Sequence, residues 1–266
     1  MISAIVVGTL VTCAAAALDR LLAGVRRPAR FVWLSAMLVT AAWPGIAMVR
    51  AQFTATAGVA AGAPLNERVL RAVAVVAHAS ESAFHVSLDT ILLIGWALVS
   101  TVLLARLIVA LVRLETHGRS WRSRWIGDVR IRMSRDVGPA VVGLDPMEVV
   151  FPEWALALDQ PLRELVLQHE QEHRRARDPF LLVASALLRA LMPWNLVLWW
   201  HARRLRLAIE LDCDARVLRA YPNADRYGLL LLAIAQRRSA LGAPLTPALS
   251  EPVSHLERRI TAMRVP

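Results

Sequence analysis

The residues most able to bind a metal ion and catalyse a reaction are two histidines, His169 and His173, and a glutamate, Glu170. All three lie in the stretch HEQEH. Residues four positions apart lie on the same face of an α-helix, so both imidazoles would point the same way. Imidazoles with this spacing can bind a metal ion, and the carboxylate beside the first can act as a general base toward water. We therefore predict that His169 and His173 are metal ligands and that Glu170 is the catalytic base.

The surrounding segment, LRELVLQHEQEHRRARD, has the features of the helix that this chemistry needs. Asp159 suits an N-cap, and Pro161 would lie in the first turn. Leu162, Leu165 and Val166 continue the stripe on which the two histidines lie. The imidazoles should therefore face the protein interior, where a metal ion would be shielded from solvent.

A third metal ligand is expected further along the chain, because zinc in hydrolases typically has three protein ligands and one position for water. The candidate is Glu210 in RLAIELDCDARVL. Asp214 lies one helical turn later, and we expect it to accept a hydrogen bond from a ligand imidazole and so fix its tautomer. His201 and Cys213 are competing donors. His201 adjoins two tryptophans, and Cys213 lies off the Glu210 face, where it suits packing as a small apolar group.

The composition is too apolar for a single soluble core, with 56% hydrophobic residues. We expect a lipid bilayer around three transmembrane helices, at about 1–24, 31–49 and 86–112. Arginines follow the first and third of them, which predicts cytoplasmic loops there and an N-terminus outside. Such loops account for the net charge of +10. The chain has no DNA-reading motif, so we expect no direct contact with nucleic acid.

The predicted fold class is a mostly α membrane protein that also carries a cytoplasmic α+β domain with a small β-sheet. The transmembrane domain would cover residues 1–113, and the cytoplasmic domain residues 114–266. Strand-type runs begin that second domain, at 128–133, 140–142 and 148–151. Residues 66–80, in the outer loop, suit a short surface helix.

The apolar stretch at about 180–200 could be taken for a fourth transmembrane helix. If it crossed, the two histidines and Glu210 would lie on opposite sides of ~30 Å of hydrocarbon. Ligand bonds of ~2 Å cannot join groups that far apart. We therefore expect a break near Met192, Pro193 and Asn195, which turns the stretch into a hairpin with both legs on one side.

Three of these strings, HEQEHRRARD, PWNLVLWW and RLAIELDCDARVL, together resemble the zinc peptidases of the BlaR/MecR antirepressor type, which are gluzincins. The likeness extends to the short strands before the HEQEH helix and to SHLERRITAM near the C-terminus. It implies a zinc cofactor bound by His169, His173 and Glu210, with Glu170 as catalytic acid and base and Asp214 in support. It also implies cytoplasmic cleavage of a protein substrate, a transcriptional repressor, in a signalling response.

The resemblance also sets expectations about location and partners. The protein should lie in the inner (cytoplasmic) cell membrane as a multi-pass protein, with its metalloprotease domain in the cytoplasm. Antibiotic-sensing members carry a further span and an extracellular penicillin-binding domain, whereas this sequence ends at Pro266, so direct β-lactam sensing is not expected. The sequence does not fix an oligomeric state, and a homodimer is compatible with it.

Two other functions remain open. A membrane quality-control protease of the Ste24/HtpX type shares the HExxH and ExxxD patterns, although DCDARVL and PWN favour the antirepressor type. A non-catalytic membrane scaffold that transduces signals is the third reading, and the presence of Glu170 argues against it.

The sequence does not identify substrate-binding residues. An extended substrate could pair with an exposed strand edge among residues 128–151. Four residues are available to stabilise the developing oxyanion: Tyr221, Tyr227, Arg206 and His255.

Overall fold

The computed structural model describes residues 2–24, 28–60, 87–135, 137–240 and 253–264. The chain is mostly helical with one small mixed sheet, which confirms that part of the predicted fold class. In chain order the helices are α1 (Ile2–Gly24), α2 (Arg30–Ala60), α3 (Leu88–Ser120), α4 (Gln160–Arg175), α5 (Asp178–Leu191), α6 (Leu196–Ala220), α7 (Ala224–Ala240) and α8 (Val253–Arg264). Between α3 and α4 lie β1 (Arg122–Ile126), β2 (Val129–Ser134), β3 (Ala140–Val142), β4 (Glu148–Pro152) and a 3-10 helix (Glu153–Ala157).

Within these described ranges two helices are long and apolar enough to cross a membrane, where three were expected. They cover Arg30–Phe53 and Leu88–Ser120. The first expected span, 1–24, forms α1 but is not one of the two. Its apolar run ends at the charged pair Asp19 and Arg20. Among the residues that the structure describes, the expected count of three is therefore corrected to two. The surface helix expected at 66–80 lies outside the described residues.

Both apolar helices are longer than the sequence suggested. The expected second span, 31–49, continues to Ala60 in α2, with Pro44 inside the helix rather than near its end. The expected third span, 86–112, continues to Ser120 in α3, which passes the domain boundary expected at residue 113.

The apolar stretch at 180–200 is not one helix. Helix α5 ends at Leu191 and α6 begins at Leu196, so the chain turns between them. The side chain of Asn195 caps α6 by accepting a hydrogen bond of 3.1 Å from a backbone N–H in the first turn. At the same turn the Trp96 indole of α3 donates a 2.8 Å hydrogen bond to the carbonyl of Leu191. The two legs therefore form a hairpin whose tip contacts α3.

The sheet has the strand order β1-β2-β4-β3. Strands β2 and β4 are parallel, and the other two pairs are antiparallel. The sequence predicted β2, β3 and β4 but not β1, because the side chains of RSRWI are mostly exposed and lack an apolar alternation. Gly143, at φ 81°, permits the turn from β3 to β4, where a Cβ would lie 2.5 Å from the carbonyl oxygen of Pro146.

Two hydrophobic cores meet along α6. The membrane-side core joins α1, α2, α5 and the first half of α6, and it includes Trp33, Met37, Leu198, Leu205 and Ile209. The sheet-side core joins the sheet, α4, α7 and the second half of α6, and it includes Ile131, Phe151, Leu165, Cys213, Val217 and Tyr227. Glu210 lies between the last membrane-side residue and the first sheet-side residue of α6. The candidate site is therefore at the junction of the two cores.

Candidate metal centre

Helix α4 holds the two histidines at the edge of the sheet-side core. It begins after Asp159 with Pro161 in its first turn, and Leu165 and Val166 are buried. The side chains of His169 and His173 are 13% and 12% exposed, respectively. Their Nε2 atoms are 3.1 Å apart. The expected convergence of the two rings is therefore observed, and Glu170, on the same helix, is buried with 5% exposure.

His173 is oriented by a carboxylate that follows α4 directly. Arg177 adopts a left-handed backbone conformation, with φ 55°, where the chain reverses between α4 and α5. This reversal brings Asp178, only 1% exposed, back to the imidazole. The Oδ2 atom of Asp178 lies 2.7 Å from Nδ1 of His173. The Nδ1–H group donates to this carboxylate, which leaves a lone pair on Nε2.

His169 is oriented through a tyrosine. The Tyr227 hydroxyl donates a 2.7 Å hydrogen bond to Oδ1 of Asp214. The oxygen of the Tyr227 hydroxyl also lies 2.7 Å from Nδ1 of His169. A hydroxyl has one proton to donate, so the His169 Nδ1–H group must be the donor in the second contact. The Nε2 atom of His169 therefore also carries a lone pair.

The expected direct hydrogen bond from Asp214 to a ligand imidazole is wrong. The Oδ1 atom of Asp214 lies 3.9 Å from Nδ1 of His169, which is too far for a hydrogen bond. The Tyr227 hydroxyl lies between the two groups and links them. Asp178, which no local sequence pattern marks, makes the direct contact, to His173.

Glu210 approaches both lone pairs. Its Oε2 atom is 3.8 Å from Nε2 of His169, and its Oε1 atom is 3.8 Å from Nε2 of His173. The two Nε2 atoms are 3.1 Å apart, so their lone pairs repel each other unless a cation lies between them. Tetrahedral ligands with bonds of ~2 Å are separated by about 3.3 Å, close to these distances. Two imidazoles and a carboxylate therefore fit a zinc ion with one position left for water.

Cys213 forms an alternative group with the two histidines, in which the three potential ligand atoms lie within 4.8 Å of one another. Its Sγ atom, however, lies 3.3 Å from Nδ1 of His169, the nitrogen that already donates to Tyr227. Burial raises the pKa of the Cys213 thiol to about 11, which keeps it neutral near pH 7. Glu210, which faces both Nε2 atoms, is the better third ligand.

The electrostatics of the pair favour a positive charge. Burial lowers the pKa of His173, but the neighbouring Cys213 and Glu210 and the hydrogen bond to Asp178 together outweigh this effect. The net result is a pKa well above the usual value for histidine. The site therefore attracts a cation even though it is largely buried.

Arg259 of α8 contacts two acidic residues of α6, Asp214 and Glu210. Its Nε and Nη2 atoms donate to the two oxygens of Asp214, each at 2.8 Å. Its Nη1 atom lies 3.0 Å from Oε2 of Glu210. A buried bidentate pair of this kind fixes both partners in one geometry. Arg259 lies in the SHLERRITAM string, but no local pattern showed which residues it would contact.

Two other candidates from the sequence, His201 and Tyr227, have partners of their own. His201 is fully buried in the membrane-side core, where its Nε2 atom is 2.9 Å from Oγ1 of Thr12 and its ring packs on Trp33 and Trp200. It is therefore not a third ligand of the site. Tyr227, a candidate for oxyanion stabilisation, has its hydroxyl bonded to Asp214 and His169 instead.

The Tyr227→Phe variant should bind zinc about 10- to 100-fold more weakly, the usual effect of losing a residue that orients a metal ligand. The substitution removes the hydroxyl that accepts the 2.7 Å hydrogen bond from the Nδ1–H group of His169. Competition with a chelator of known affinity measures the change. An unchanged affinity would show that the hydroxyl does not orient His169.

Comparison with known protein families gives a match. The family model described as BlaR1 peptidase M56 matches residues 1–263, nearly the whole chain. The comparison with curated proteins gives no match. The family match confirms the resemblance inferred from HEQEHRRARD, PWNLVLWW and RLAIELDCDARVL. The chain belongs to the BlaR1 peptidase M56 family.

Proposed function

We propose that the protein is a membrane-embedded zinc metalloendopeptidase that cleaves a cytoplasmic protein in a signalling response. The proposed substrate is a transcriptional repressor. The main support is the arrangement of three side chains. The Nε2 atoms of His169 and His173 are 3.1 Å apart, and an oxygen of the Glu210 carboxylate lies 3.8 Å from each. Glu170, buried on the same helix, supplies the base that a scaffold would not need.

Each residue of the site has a separate role in the proposed hydrolysis. Zinc, when bound, polarises the scissile carbonyl and lowers the pKa of water toward ~7. Glu170 takes a proton from the attacking water and delivers it to the leaving amine. Asp178 and Tyr227 hold the two imidazoles in the tautomer with a free Nε2, and Arg259 holds the carboxylate of Glu210.

The proposed topology has α2 and α3 crossing the inner membrane. Arginines lie at the start of α2, at Arg30, and near the end of α3, at Arg113 and Arg119. This charge distribution favours a cytoplasmic location for both of these ends. The sheet and helices α4 to α8 then lie on the cytoplasmic side with the hairpin directed toward the membrane.

An extended substrate segment is proposed to pair with β3. The strand order β1-β2-β4-β3 leaves β3 at one edge of the sheet, and β3 contacts α4, the helix of the two histidines. Pairing with an edge strand would hold a peptide in extended form beside the metal site through backbone hydrogen bonds. Cleavage should then favour segments that can adopt a strand.

Metal removal tests the function directly. The full chain, purified in nanodiscs, should contain about one zinc per protein and should cleave a repressor encoded beside it. Treatment with 1,10-phenanthroline should abolish cleavage, and stoichiometric Zn²⁺ should restore it, because the histidines and Glu210 are the proposed ligands. Mass spectrometry of the fragments reports the cleaved bond.

Each other result points to a different function. Zinc binding without cleavage of any protein would favour the non-catalytic scaffold. Cleavage of misfolded membrane proteins but not of the repressor would favour the quality-control protease. A preparation that never binds zinc would contradict the proposed function altogether.

A further inference from the structure

Arg30, the first residue of α2, contacts the group that orients a proposed metal ligand. Its Nη1 atom donates a 3.0 Å hydrogen bond to Oδ1 of Asp178. The other oxygen of the same carboxylate accepts the 2.7 Å hydrogen bond from Nδ1–H of His173. One buried carboxylate therefore joins a candidate membrane helix to the metal site.

A second set of contacts fixes the start of α2 against α6. The carboxylate of Asp212 accepts hydrogen bonds from the backbone N–H groups of Ala29 and Arg30, each at 3.3 Å. Trp33 and Met37, in the first two turns of α2, are fully buried in the membrane-side core. The position of Arg30 is therefore set by how α2 packs, not by a flexible surface side chain.

The ion pair between Arg30 and Asp178 is buried, so loss of one partner affects the other. The side chains of Arg30 and Asp178 are 12% and 2% exposed. Arg216 approaches the oxygen that meets His173, with Nη2 3.6 Å from Oδ2, whereas Arg30 holds the other oxygen, Oδ1. Loss of the Arg30 guanidinium would leave Oδ1 without this partner, so the carboxylate could rotate and Oδ2 would lose its alignment with His173. A buried carboxylate with one partner removed is strongly destabilised in its original position.

We propose that Arg30 is a positioning residue of the metal site: it holds Asp178, which aligns His173 so that its Nε2 lone pair points at the metal. The inference rests on the proposed function, because it takes His173 as a zinc ligand. If Arg30 has this role, the packing of α2 against α6 controls the affinity of the site for the metal. A displacement of α2 would reach His173 through one carboxylate, that of Asp178.

The test compares Arg30→Gln with a matched control, Arg204→Gln. The Arg204 guanidinium lies over the rings of Trp33 and Trp200, at 5.6 and 5.0 Å, so it also contacts α2 but is not among the contacts of Asp178. The full chain is reconstituted in nanodiscs, and the Kd for Zn²⁺ is measured by chelator competition. The visible absorption spectrum of the Co²⁺-substituted protein reports the geometry of the ligands.

The Arg30→Gln variant should bind Zn²⁺ about 10-fold more weakly, at the lower end of the range for residues that support a ligand. Its Co²⁺ bands should shift, whereas Arg204→Gln should match the wild type in both measurements. Equal Kd values and equal spectra for Arg30→Gln and the wild type would overturn the assignment.

A double substitution keeps the proposal testable if Arg30→Gln does not fold. The combination of Arg30→Gln with Asp178→Asn removes both buried charges, and it is compared with Asp178→Asn alone. If Arg30 acts through Asp178, the two proteins should share one Kd, because the effects of coupled residues do not add. A further 10-fold loss in the double variant would overturn the proposal.

The wild-type measurements separate this inference from the proposed function. A wild type that binds zinc without cleaving any protein would overturn the peptidase function and leave the Arg30 comparison valid. A wild type that binds no zinc would overturn both before any variant is compared.

Discussion

Replacement of Glu170 by glutamine should abolish peptide-bond cleavage and leave zinc binding intact. The amide has nearly the same shape as the carboxylate but cannot take a proton from water. General-base catalysis contributes about 10²- to 10⁴-fold, so kcat/KM should fall by at least that factor. The measurement pairs cleavage of the repressor with zinc content, both on the full chain in nanodiscs.

A matched control for this variant lies on the same helix. Glu164 is exposed at the surface of α4, where its Oε1 atom accepts a 2.9 Å hydrogen bond from Gln160. The Glu164→Gln variant makes the same chemical change without approaching the histidines and should cleave at the wild-type rate. An unchanged rate in Glu170→Gln would remove the proposed base, and a loss of zinc in that variant would show that Glu170 acts in metal binding instead.

Substitution at Glu210 should have the largest effect on metal binding. The Glu210→Gln variant removes a charged ligand, and its zinc affinity should fall by more than about 100-fold, beyond the effect of supporting residues. The Cys213→Ala variant should bind zinc with nearly wild-type affinity, because Sγ faces Nδ1 of His169 rather than the metal side of the ring. Chelator competition on both proteins measures the difference.

This pair of variants decides between the two candidate ligand sets. Arg259 retains its bidentate contact with Asp214 in Glu210→Gln, so the fold should persist. Thermal unfolding of the metal-free proteins checks this expectation. If Cys213→Ala lost zinc while Glu210→Gln retained it, the set of two histidines and the cysteine would replace the one proposed here.

The parts of the site that obey local rules could be predicted from the sequence. Residues four apart share a helix face, so HEQEH placed His169 and His173 together before any tertiary structure was known. The requirement that Glu210 reach the same point predicted a hairpin at 180–200, where Pro193 and Asn195 provide the turn signals. These inferences needed only periodicity, bond lengths and the geometry of a bilayer.

The residues that orient the ligands depend on tertiary contacts and were not assigned. Asp178 reaches His173 because Arg177, a residue with no special tolerance for positive φ, reverses the chain after α4. Tyr227 and Arg259 come from α7 and α8, whose approach to α6 no local pattern specifies. Asp214 was correctly placed near the site but with the wrong partner, because the intervening tyrosine belongs to another helix.

The errors in the fold have similar causes. Strand β1 was missed because an edge strand rich in arginine has no apolar alternation. The first expected span, 1–24, forms helix α1, which contacts α2 and α6 and is not one of the two candidate spans found among the described residues. Sequence patterns report which residues avoid water, and they do not distinguish burial in lipid from burial against protein.

Helix α6 should determine how the protein unfolds on heating. Its 25 residues extend for about 37 Å and contribute to both cores without a break. Two cores that share one continuous helix cannot melt independently, since loss of either removes half of the surface that keeps that helix folded. Calorimetry should therefore show one cooperative transition, in which the two cores denature together.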